Sequence, residues 1–343
     1  MSTTRSDVDV DIRPYRDTDA SGVIELLQVT MGDGPTGPRT REFFEWKHLE
    51  NPFGHSLMLV AVRDGQIVGL RAFMRWRFRS AHGAVRAVQA VDTATHPDYQ
   101  GMGIFSRLTR TALEMLSEDT DLVFNTPNEK SLPGYLKMGW RSIGRFPVSV
   151  RVRRPVRVAL GLRGASRDTG VISPRPAVDA KPVSVLLAEC DIEDLLGPAR
   201  ASRDVLLTDR TVEYVRWRYA RPPGLEYRAV SIEKRGRLRG AAIFRVRPRG
   251  PLWEADVVEV LASQSDAATI RSLLRGVARS ARVDHLAAHF PRGSETARAA
   301  RRAGFLRSPI GIDVVVKPLR PALAPNPTSV TSWAFSLGDL EVF

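Results

Sequence analysis

A glycine-rich turn at the predicted start of a helix is the segment best suited to bind an anion. It reads Gln100-Gly-Met-Gly-Ile-Phe105. The residues before it are rich in β-formers, His96 to Tyr99 predict a Pro-Asp turn, and helical spacing follows in Ile104, Phe105, Leu108, Ala112, Met115 and Leu116. The first amides of a helix have no intrahelical acceptor and carry the positive end of its dipole. The turn therefore predicts a diphosphate site made of backbone N–H groups, which Gly101 and Gly103 would let the phosphate approach closely.

Two other interpretations of this turn have to be weighed. The dinucleotide pattern Gly-x-Gly-x-x-Gly would need a glycine where Ser106 stands, and four loop residues separate the strand from the turn, so a Rossmann site is disfavoured. A left-handed glycine at an ordinary strand-helix turn stays open as long as the turn is taken alone.

Three further segments also predict strands or helices from the spacing of their apolar residues. Ile12 to Asp19 and the apolar run Val23, Ile24, Leu26, Leu27 predict a strand and a helix. Leu122 to Asn128 predicts another strand, and Tyr135-Leu-Lys-Met-Gly139-Trp140 follows it. The motif-bearing part of the chain therefore alternates strands with helices.

Taken in order, these four segments resemble the GNAT superfamily of acyl-CoA N-acyltransferases. Gln100 and Gly103 meet the family's Gln/Arg-x-x-Gly-x-Gly/Ala pattern, and Phe105 stands where a small residue is usual. Tyr135 to Trp140 is similar to the Tyr-x-x-x-Gly-Phe element, in which a helix carries the tyrosine and the glycine ends that helix. Asn125 to Trp140 looks most like a subgroup of bacterial sugar- and antibiotic-modifying enzymes. The resemblance covers roughly residues 10 to 150 and implies an α/β (α+β) fold with a twisted mixed sheet flanked by helices.

The resemblance also implies acetyl-CoA as co-substrate and no metal. The motif strand would hydrogen-bond the pantetheine and the carbonyl, and the turn would hold the pyrophosphate. The cofactor-binding residues expected on this basis are Thr93, Ala94, Thr95, Gln100, Gly101, Met102, Gly103, Ile104, Phe105 and Asn128.

Acyl transfer to an amine also requires a proton for the departing thiolate. A tyrosine ordinarily has a pKa of about 10 and is protonated at neutral pH, so Tyr135 is the expected general acid. The alternative is a half-buried helix tyrosine that packs near Trp140.

Several carboxylates could accept the proton of the amine. Asp92 lies on the motif strand, where alternation would point it away from Val91, and Glu129 lies beside the Pro-Asn loop. Each is also consistent with an ordinary solvated carboxylate. Some antibiotic-modifying tandem GNAT proteins place a C-terminal carboxylate in the active site, which makes Phe343 another candidate. His48 and Glu45 lie in a segment that would border the acceptor cleft, although such a histidine is often structural.

The second half of the chain repeats the first. Phe44 to Pro52 matches Val215 to Pro223, and the predicted hairpin Asp64 to Phe73 matches Arg235 to Phe244, both at an offset of 171 residues. The second copy lacks the glycine turn and has Ala300 in place of Tyr135.

This repeat predicts two tandem GNAT-like domains. We expect a catalytic domain over residues 8–150 and an Arg/Pro/Gly-rich linker over 151–181. A degenerate domain over 182–318 would either shape the acceptor site or serve packing alone. The tail 319–343 is apolar enough to pack on the domains, and we expect it to do so as a strand.

Composition limits the partners. A chain of 343 residues with 43% apolar residues can bury about two cores. The single Cys190 excludes an internal disulfide and a cysteine-based zinc site. The chain shows no secretory signal and no run of about 18 apolar residues, so we expect a cytoplasmic protein without membrane insertion.

The net charge of +13 suggests nucleic-acid binding, but no recognised nucleic-acid-binding motif accompanies it. Nucleic acid is therefore disfavoured, and an electropositive surface that attracts CoA phosphates or an anionic acceptor is expected instead.

The expected function is transfer of acetyl from acetyl-CoA to an amine of a small molecule, such as an amino sugar or an aminoglycoside, in a ternary complex. Because Cys190 lies outside the motif domain, a covalent cysteine intermediate has no support. The alternatives are a Fem-like aminoacyl transferase acting on a cell-wall precursor and a non-catalytic acyl-CoA-binding module. The sequence does not choose the acceptor, and it leaves an oligomer open.

Overall fold

The computed structural model describes residues 9–32, 39–164, 174–196, 204–263 and 266–340. Within these ranges the strands form one sheet of 13 strands with helices packed on it. Neighbouring strands in the described ranges are antiparallel except for two parallel pairs, β4–β5 and β11–β12. These strands are β4 Gly83–Thr95, β5 Leu122–Asn125, β11 Leu252–Ala262 and β12 His285–Ala288. The predicted mixed sheet flanked by helices is confirmed, and its strands join into a single sheet.

The remaining strands complete this sheet in the order β1-β2-β3-β4-β5-β13-β6-β12-β11-β10-β9-β7, with β8 paired to β3. Their bounds are β1 Asp11–Pro14, β2 Leu57–Arg63, β3 Gln66–Ser80, β6 Arg141–Val152, β7 Lys181–Pro182, β8 Leu207–Thr208, β9 Tyr227–Lys234, β10 Arg237–Arg249 and β13 Leu306–Pro318.

The helices are α1 Ala20–Met31, α2 Arg41–His48, α3 Ile104–Leu116, α4 Leu132–Lys137, α5 Pro155–Gly164, α6 Val183–Glu189, α7 Glu193–Leu196, α8 Val212–Val215, α9 Ala267–Ser280, α10 Glu295–Arg302 and α11 Leu337–Leu340. A π-helical turn, Arg216–Ala220, continues α8. Single 3₁₀ turns cover Asp17–Asp19, Pro97–Tyr99 and Val330–Ser332. None of the helices in the described ranges is long and apolar enough to cross a membrane.

The two predicted hairpins are present and share one turn geometry. Asp64 and Gly65 connect β2 to β3 with φ of 50° and 77°, and Arg235 and Gly236 connect β9 to β10 with φ of 54° and 71°. Two positive φ values in a two-residue turn match the right-handed twist of the flanking strands.

The two halves exchange their last strands. β13, from the C-terminal half, lies between β5 and β6 and pairs with both. β6, from the N-terminal half, extends into the other half and pairs with β12. Within the segment expected to be a linker, the chain leaves β6 and forms α5, whose Gly161 lies so close to Leu252 that an added Cβ would be 2.9 Å from its side chain.

A pair of tryptophans joins the halves at the core. Trp46 Nε1 donates to the carbonyl of Trp217 at 2.9 Å, and Trp217 Nε1 donates to the carbonyl of Trp46 at 2.8 Å. The two rings stack with centroids 5.1 Å apart. Such reciprocity is what a two-fold relation between equivalent segments produces.

The tail packs in the core, but the expectation that it forms a strand was wrong. Trp333 and Phe335 stack on each other in the core, and a single bridge links Trp333 to Leu206. The chain then turns into α11 because Ser336 and Asp339 cap it reciprocally: Ser336 N donates to Asp339 Oδ2 at 2.7 Å, and Asp339 N donates to Ser336 Oγ at 3.2 Å. Phe343 lies outside the described residues.

Candidate functional site

The glycine-rich turn opens α3 as predicted. Gly103 is the N-cap of α3 in the left-handed conformation, with φ of 77°, and Gly101 has the same φ. The first intrahelical bond runs from Arg107 N to Gly103 O at 3.0 Å, so helix geometry leaves the preceding amides without intrahelical acceptors. In the described residues, and leaving aside its chain neighbours, no atom lies within 4 Å of a Cβ added at Gly103. The helix start is therefore open to an anion.

The strand before this turn separates from its parallel neighbour. β4 pairs with β5 over Ala87–Gln89 only and then runs on to Thr95. On the β3 side, Leu70 pairs with Ala94 and Ala72 with Val91, so two residues of β4 stand opposite Arg71. This is a β-bulge, with Asp92 at a φ of 40°. The gap between β4 and β5 thus lies directly before the anion-binding turn.

The bulge corrects one expectation. Val91 packs in the core cluster that contains α1 and α2, and Asp92 also bonds to α2, so the two side chains lie on the same face of the sheet. The prediction that Asp92 points away from Val91 was wrong because the bulge interrupts the alternation of side chains.

Asp92 is held in a buried ionic cluster on that face. Lys47 Nζ is 2.7 Å and His48 Nε2 2.9 Å from Asp92 Oδ2. Burial alone would raise the pKa of Asp92, but the nearby Lys47 and His48 outweigh it and hold that pKa well below its usual range. Burial lowers the pKa of both Lys47 and His48. Asp92 is therefore a stable carboxylate.

The hydrogen bonds of His48 define its tautomer. The Asp92 carboxylate can only accept, so His48 Nε2 donates to it and carries the proton. Nδ1 then accepts a hydrogen bond from Ser56 Oγ at 2.9 Å. A cavity of about 10 Å³ beside Asp92 and Lys47, lined also by Phe43 and Phe44, has about the size of one water molecule.

Tyr135 lies on the opposite face, in the cluster that contains α3. It is buried, and its hydroxyl accepts a hydrogen bond from Arg71 Nη1 at 2.8 Å. Its ring meets Phe105 edge-on at 5.7 Å and Trp140 at 5.3 Å. Phe105 thus packs toward α4. Tyr135 makes the predicted contact with Trp140, and its hydroxyl also bonds to Arg71, which lies opposite the bulge.

Arg71 was not predicted from the sequence. It faces the same side of β3 as Phe73 and Gly69, a side covered by apolar residues of α3. Arg75, Arg77 and Arg79 continue the same alternation along β3, so the sequence pattern did not distinguish Arg71 from these other arginines.

Two other predicted residues lie on the loop before α4. Glu129 is exposed on the loop before α4, and Asn128 Oδ1 accepts from Ser131 N at 2.9 Å in the same loop. Glu45 forms an exposed pair with Arg41. In the described ranges, no group of three or more His, Cys, Asp and Glu side chains is placed to hold a metal ion.

The second half builds a related bulge without an open helix start. Glu259 takes the position of Asp92 beside a bulge in β11, with Arg210 Nε at 2.9 Å and Tyr219 Oη at 3.0 Å from its Oε1. The N-cap of α9 is Asp266, whose carboxylate accepts from Thr269 N at 3.0 Å. A carboxylate at this helix start satisfies an amide and repels a phosphate.

A cavity of about 320 Å³ lies between β6, β11, the loop after β12 and the tail. Among its charged lining groups, Arg210 pairs with Glu259, Arg145 pairs with Asp313, and Arg292 is exposed. Because each of these pairs joins one cation to one anion, neither pair calls for a charged ligand.

Comparison with known proteins agrees with this geometry. Residues 11–143 match the family model of the acetyltransferase (GNAT) domain. No curated protein sequence matches the chain.

Solved structures share the fold over most of the chain. A conserved protein of unknown function and probable N-acyltransferase from Enterococcus faecalis V583 is 14% identical with a TM-score of 0.61, over 91% of this chain and 73% of that one. A GCN5-related N-acetyltransferase from Anabaena variabilis ATCC 29413 is 13% identical with a TM-score of 0.63, over the same shares of 91% and 73%. One from Kribbella flavida is 15% identical with a TM-score of 0.57, over 90% and 71%.

The family model includes the bulged β4, the open start of α3 and Tyr135, whereas the structural similarity, at such low identity, establishes the fold. Residues 11–143, in the N-terminal half of the chain, are thus similar to GNAT acetyltransferase domains.

Proposed function

We propose that the N-terminal half transfers acetyl from acetyl-CoA to an amine of a small molecule. The observation that carries this proposal is the open start of α3 at Gly103, placed beside the gap between β4 and β5. Exposed backbone amides suit the pyrophosphate. The edge of β4 that faces β5 has no strand pairing beyond Gln89 in the described residues, which suits an extended pantetheine chain. Gln100, Met102, Ile104 and Phe105 complete the proposed cofactor contacts.

The reaction needs no covalent enzyme intermediate. The amine nitrogen forms a bond to the acetyl carbon, the carbon–sulfur bond breaks, and the thiolate takes the hydroxyl proton of Tyr135. Burial raises the pKa of the Cys190 thiol, which keeps it protonated and poorly nucleophilic. Direct transfer in a ternary complex is therefore preferred.

The proton of the amine requires an acceptor. Asp92 is a buried carboxylate beside a cavity of about 10 Å³, so it would act through one water molecule. Glu129 is exposed and could act directly, and the carboxylate of Phe343 is the third candidate. The acceptor class remains amino sugars, aminoglycosides and similar amines, as the subgroup resemblance implies.

Thermal unfolding with and without acetyl-CoA tests the cofactor. A ligand at about 100 times its dissociation constant should add roughly 2.7 kcal/mol to the stability of the parent protein. Gly103→Asp adds a charge and a side chain at the helix start, so this variant should show no shift. A matched control, Gly83→Asp, lies in a turn with a positive φ and nothing within 4 Å, and should keep the shift.

Two outcomes would overturn the cofactor proposal. If acetyl-CoA leaves the parent unchanged, a Fem-like aminoacyl transferase becomes the better interpretation. If Gly103→Asp shifts as much as the parent, the cofactor binds elsewhere. A shift without turnover on any amine would favour a non-catalytic acyl-CoA-binding module.

A further inference from the structure

Arg71 is a buried cation without a carboxylate partner. Its side chain is 0% exposed, and within the described ranges it forms no ion pair. Nη1 donates to the hydroxyls of Thr93 and Tyr135, while Nε and Nη2 are buried without a hydrogen-bond partner. A buried guanidinium normally has a carboxylate beside it, because desolvating an unpaired charge is costly.

Aromatic rings surround this charge. The guanidinium carbon lies 4.5 Å from the ring centroid of Phe73, 5.3 Å from that of Tyr135 and 5.5 Å from that of Phe105. Ring faces attract a cation but neutralise none of its charge. Among the described residues, the site around Arg71 therefore holds no counter-charge.

An anion formed on Tyr135 would complete it. When a tyrosine hydroxyl protonates a departing thiolate, its oxygen becomes a phenolate, and here that oxygen lies 2.8 Å from Arg71 Nη1. A preorganised cation at a site where negative charge develops stabilises the transition state more than the ground state.

We propose that Arg71 is the positioning residue for Tyr135 in acyl transfer, an inference that rests on the proposed function. The hydrogen bond from Arg71 occupies one lone pair of the phenolic oxygen and leaves its O–H free to face the sulfur. The O–H bond of Tyr135 breaks, an S–H bond forms on CoA, and the phenolate pairs with Arg71. The phenolate regains a proton from solvent after the products leave.

The same guanidinium fixes the distance between two elements. Thr93 belongs to the bulge in β4 and Tyr135 to α4, and Arg71 bonds to both. A lysine presents a single ammonium in place of the planar fork and cannot hold both hydroxyls in the same geometry. Arg71→Lys should therefore restore only part of what Arg71→Met loses.

The test compares leaving groups in a double-mutant cycle. The variants are Arg71→Met, Tyr135→Phe and the double variant, with Arg75→Met as control, since Arg75 lies on the same strand and pairs with Asp119. The donors are acetyl-CoA, whose thiolate needs a proton, and p-nitrophenyl acetate, whose phenolate leaves without one.

With acetyl-CoA, Arg71→Met and Tyr135→Phe should each lower kcat by about 100-fold, and the double variant should be no slower than Tyr135→Phe. With p-nitrophenyl acetate both single variants should retain most of the parent rate. The CoA-induced thermal shift should persist in all of them and in Arg75→Met, whose kcat should equal that of the parent.

Each contrary result has a distinct meaning. If Tyr135→Phe is slow and Arg71→Met is not, Arg71 has no part in the reaction and the proposed function stands. If the two losses multiply in the double variant, or Arg71→Met slows both donors equally, Arg71 does not act through Tyr135. If Tyr135→Phe keeps full activity, the general acid of the proposed function is wrong.

Discussion

Asp92 and His48 illustrate how buried charges make this fold sensitive to pH. Asp92 keeps its negative charge because Lys47 and His48 lie within 2.9 Å of its carboxylate. The structure has to desolvate all three groups, which is favourable only while their hydrogen bonds stay intact. Protonating the Asp92 carboxylate or the Nδ1 atom of His48 therefore weakens the native state.

The free energy of unfolding should fall as the pH is lowered from 7 to 5. Burial lowers the pKa of His48 and of His289, so the unfolded chain, with histidine pKa values of about 6.5, takes up protons before the folded one does. His48→Gln removes one of these groups and should give a shallower dependence, whereas His289 remains. Urea unfolding at several pH values measures this, and equal slopes for parent and variant would contradict it.

A second loss should follow below about pH 4. The pKa of Asp92 is well below the unfolded value of about 3.9, so its contribution is complete above that pH and disappears as the pH falls through the folded value.

The position of α3 depends on one close contact with the sheet. Gly69 of β3 lies beneath Ile104, the first residue of α3, and an added Cβ would be 2.8 Å from Ile104 Cγ2 and 3.1 Å from Leu108 Cδ1. This glycine lets the helix start approach the strand closely. The contact between Gly69 and the first turn of α3 therefore helps to determine where the anion-binding turn lies.

Gly69→Ala should displace the start of α3, lower stability by about 1–3 kcal/mol and reduce affinity for acetyl-CoA. Isothermal titration and chemical unfolding measure the two effects. Gly65→Asn is the control, because Gly65 has a φ of 77° and nothing within 4 Å, and asparagine tolerates that conformation. Unchanged CoA affinity in Gly69→Ala would show that the turn is positioned independently of this contact.

Across the whole molecule, the exchange of β6 and β13 makes the halves depend on each other. Each exchanged strand satisfies backbone groups of the opposite half: β13 pairs with β5, and β6 with β12. The stacked Trp46 and Trp217 add a buried contact between the halves. We therefore propose that the two repeats fold as one unit despite their separate motifs.

A fragment of residues 1–164 should not fold by itself, although it contains every proposed catalytic residue except Phe343. It lacks β13, which leaves β5 and β6 with unpaired edges that favour aggregation. Co-expression with residues 165–343 should restore a cooperative melt and its CoA-induced shift. A fragment that melts cooperatively and binds CoA alone would refute this dependence.

Local sequence determined much of the proposed site. Gly101 and Gly103 were predicted from their place between a strand and an apolar helical run, because only the preceding and following residues define a helix start. The paired hairpins and the matching tryptophans followed from the repeat for the same reason. These features depend on neighbours in the chain.

Only the tertiary structure decided the rest. The bulge at Asp92 turned its side chain toward α2, where Lys47 and His48 hold it. The placement of β13 beside β5 and of Arg71 beside Tyr135 joins residues that are distant in the chain. Periodicity predicts which residues can be buried, whereas packing between distant segments selects the partner that each buried group meets.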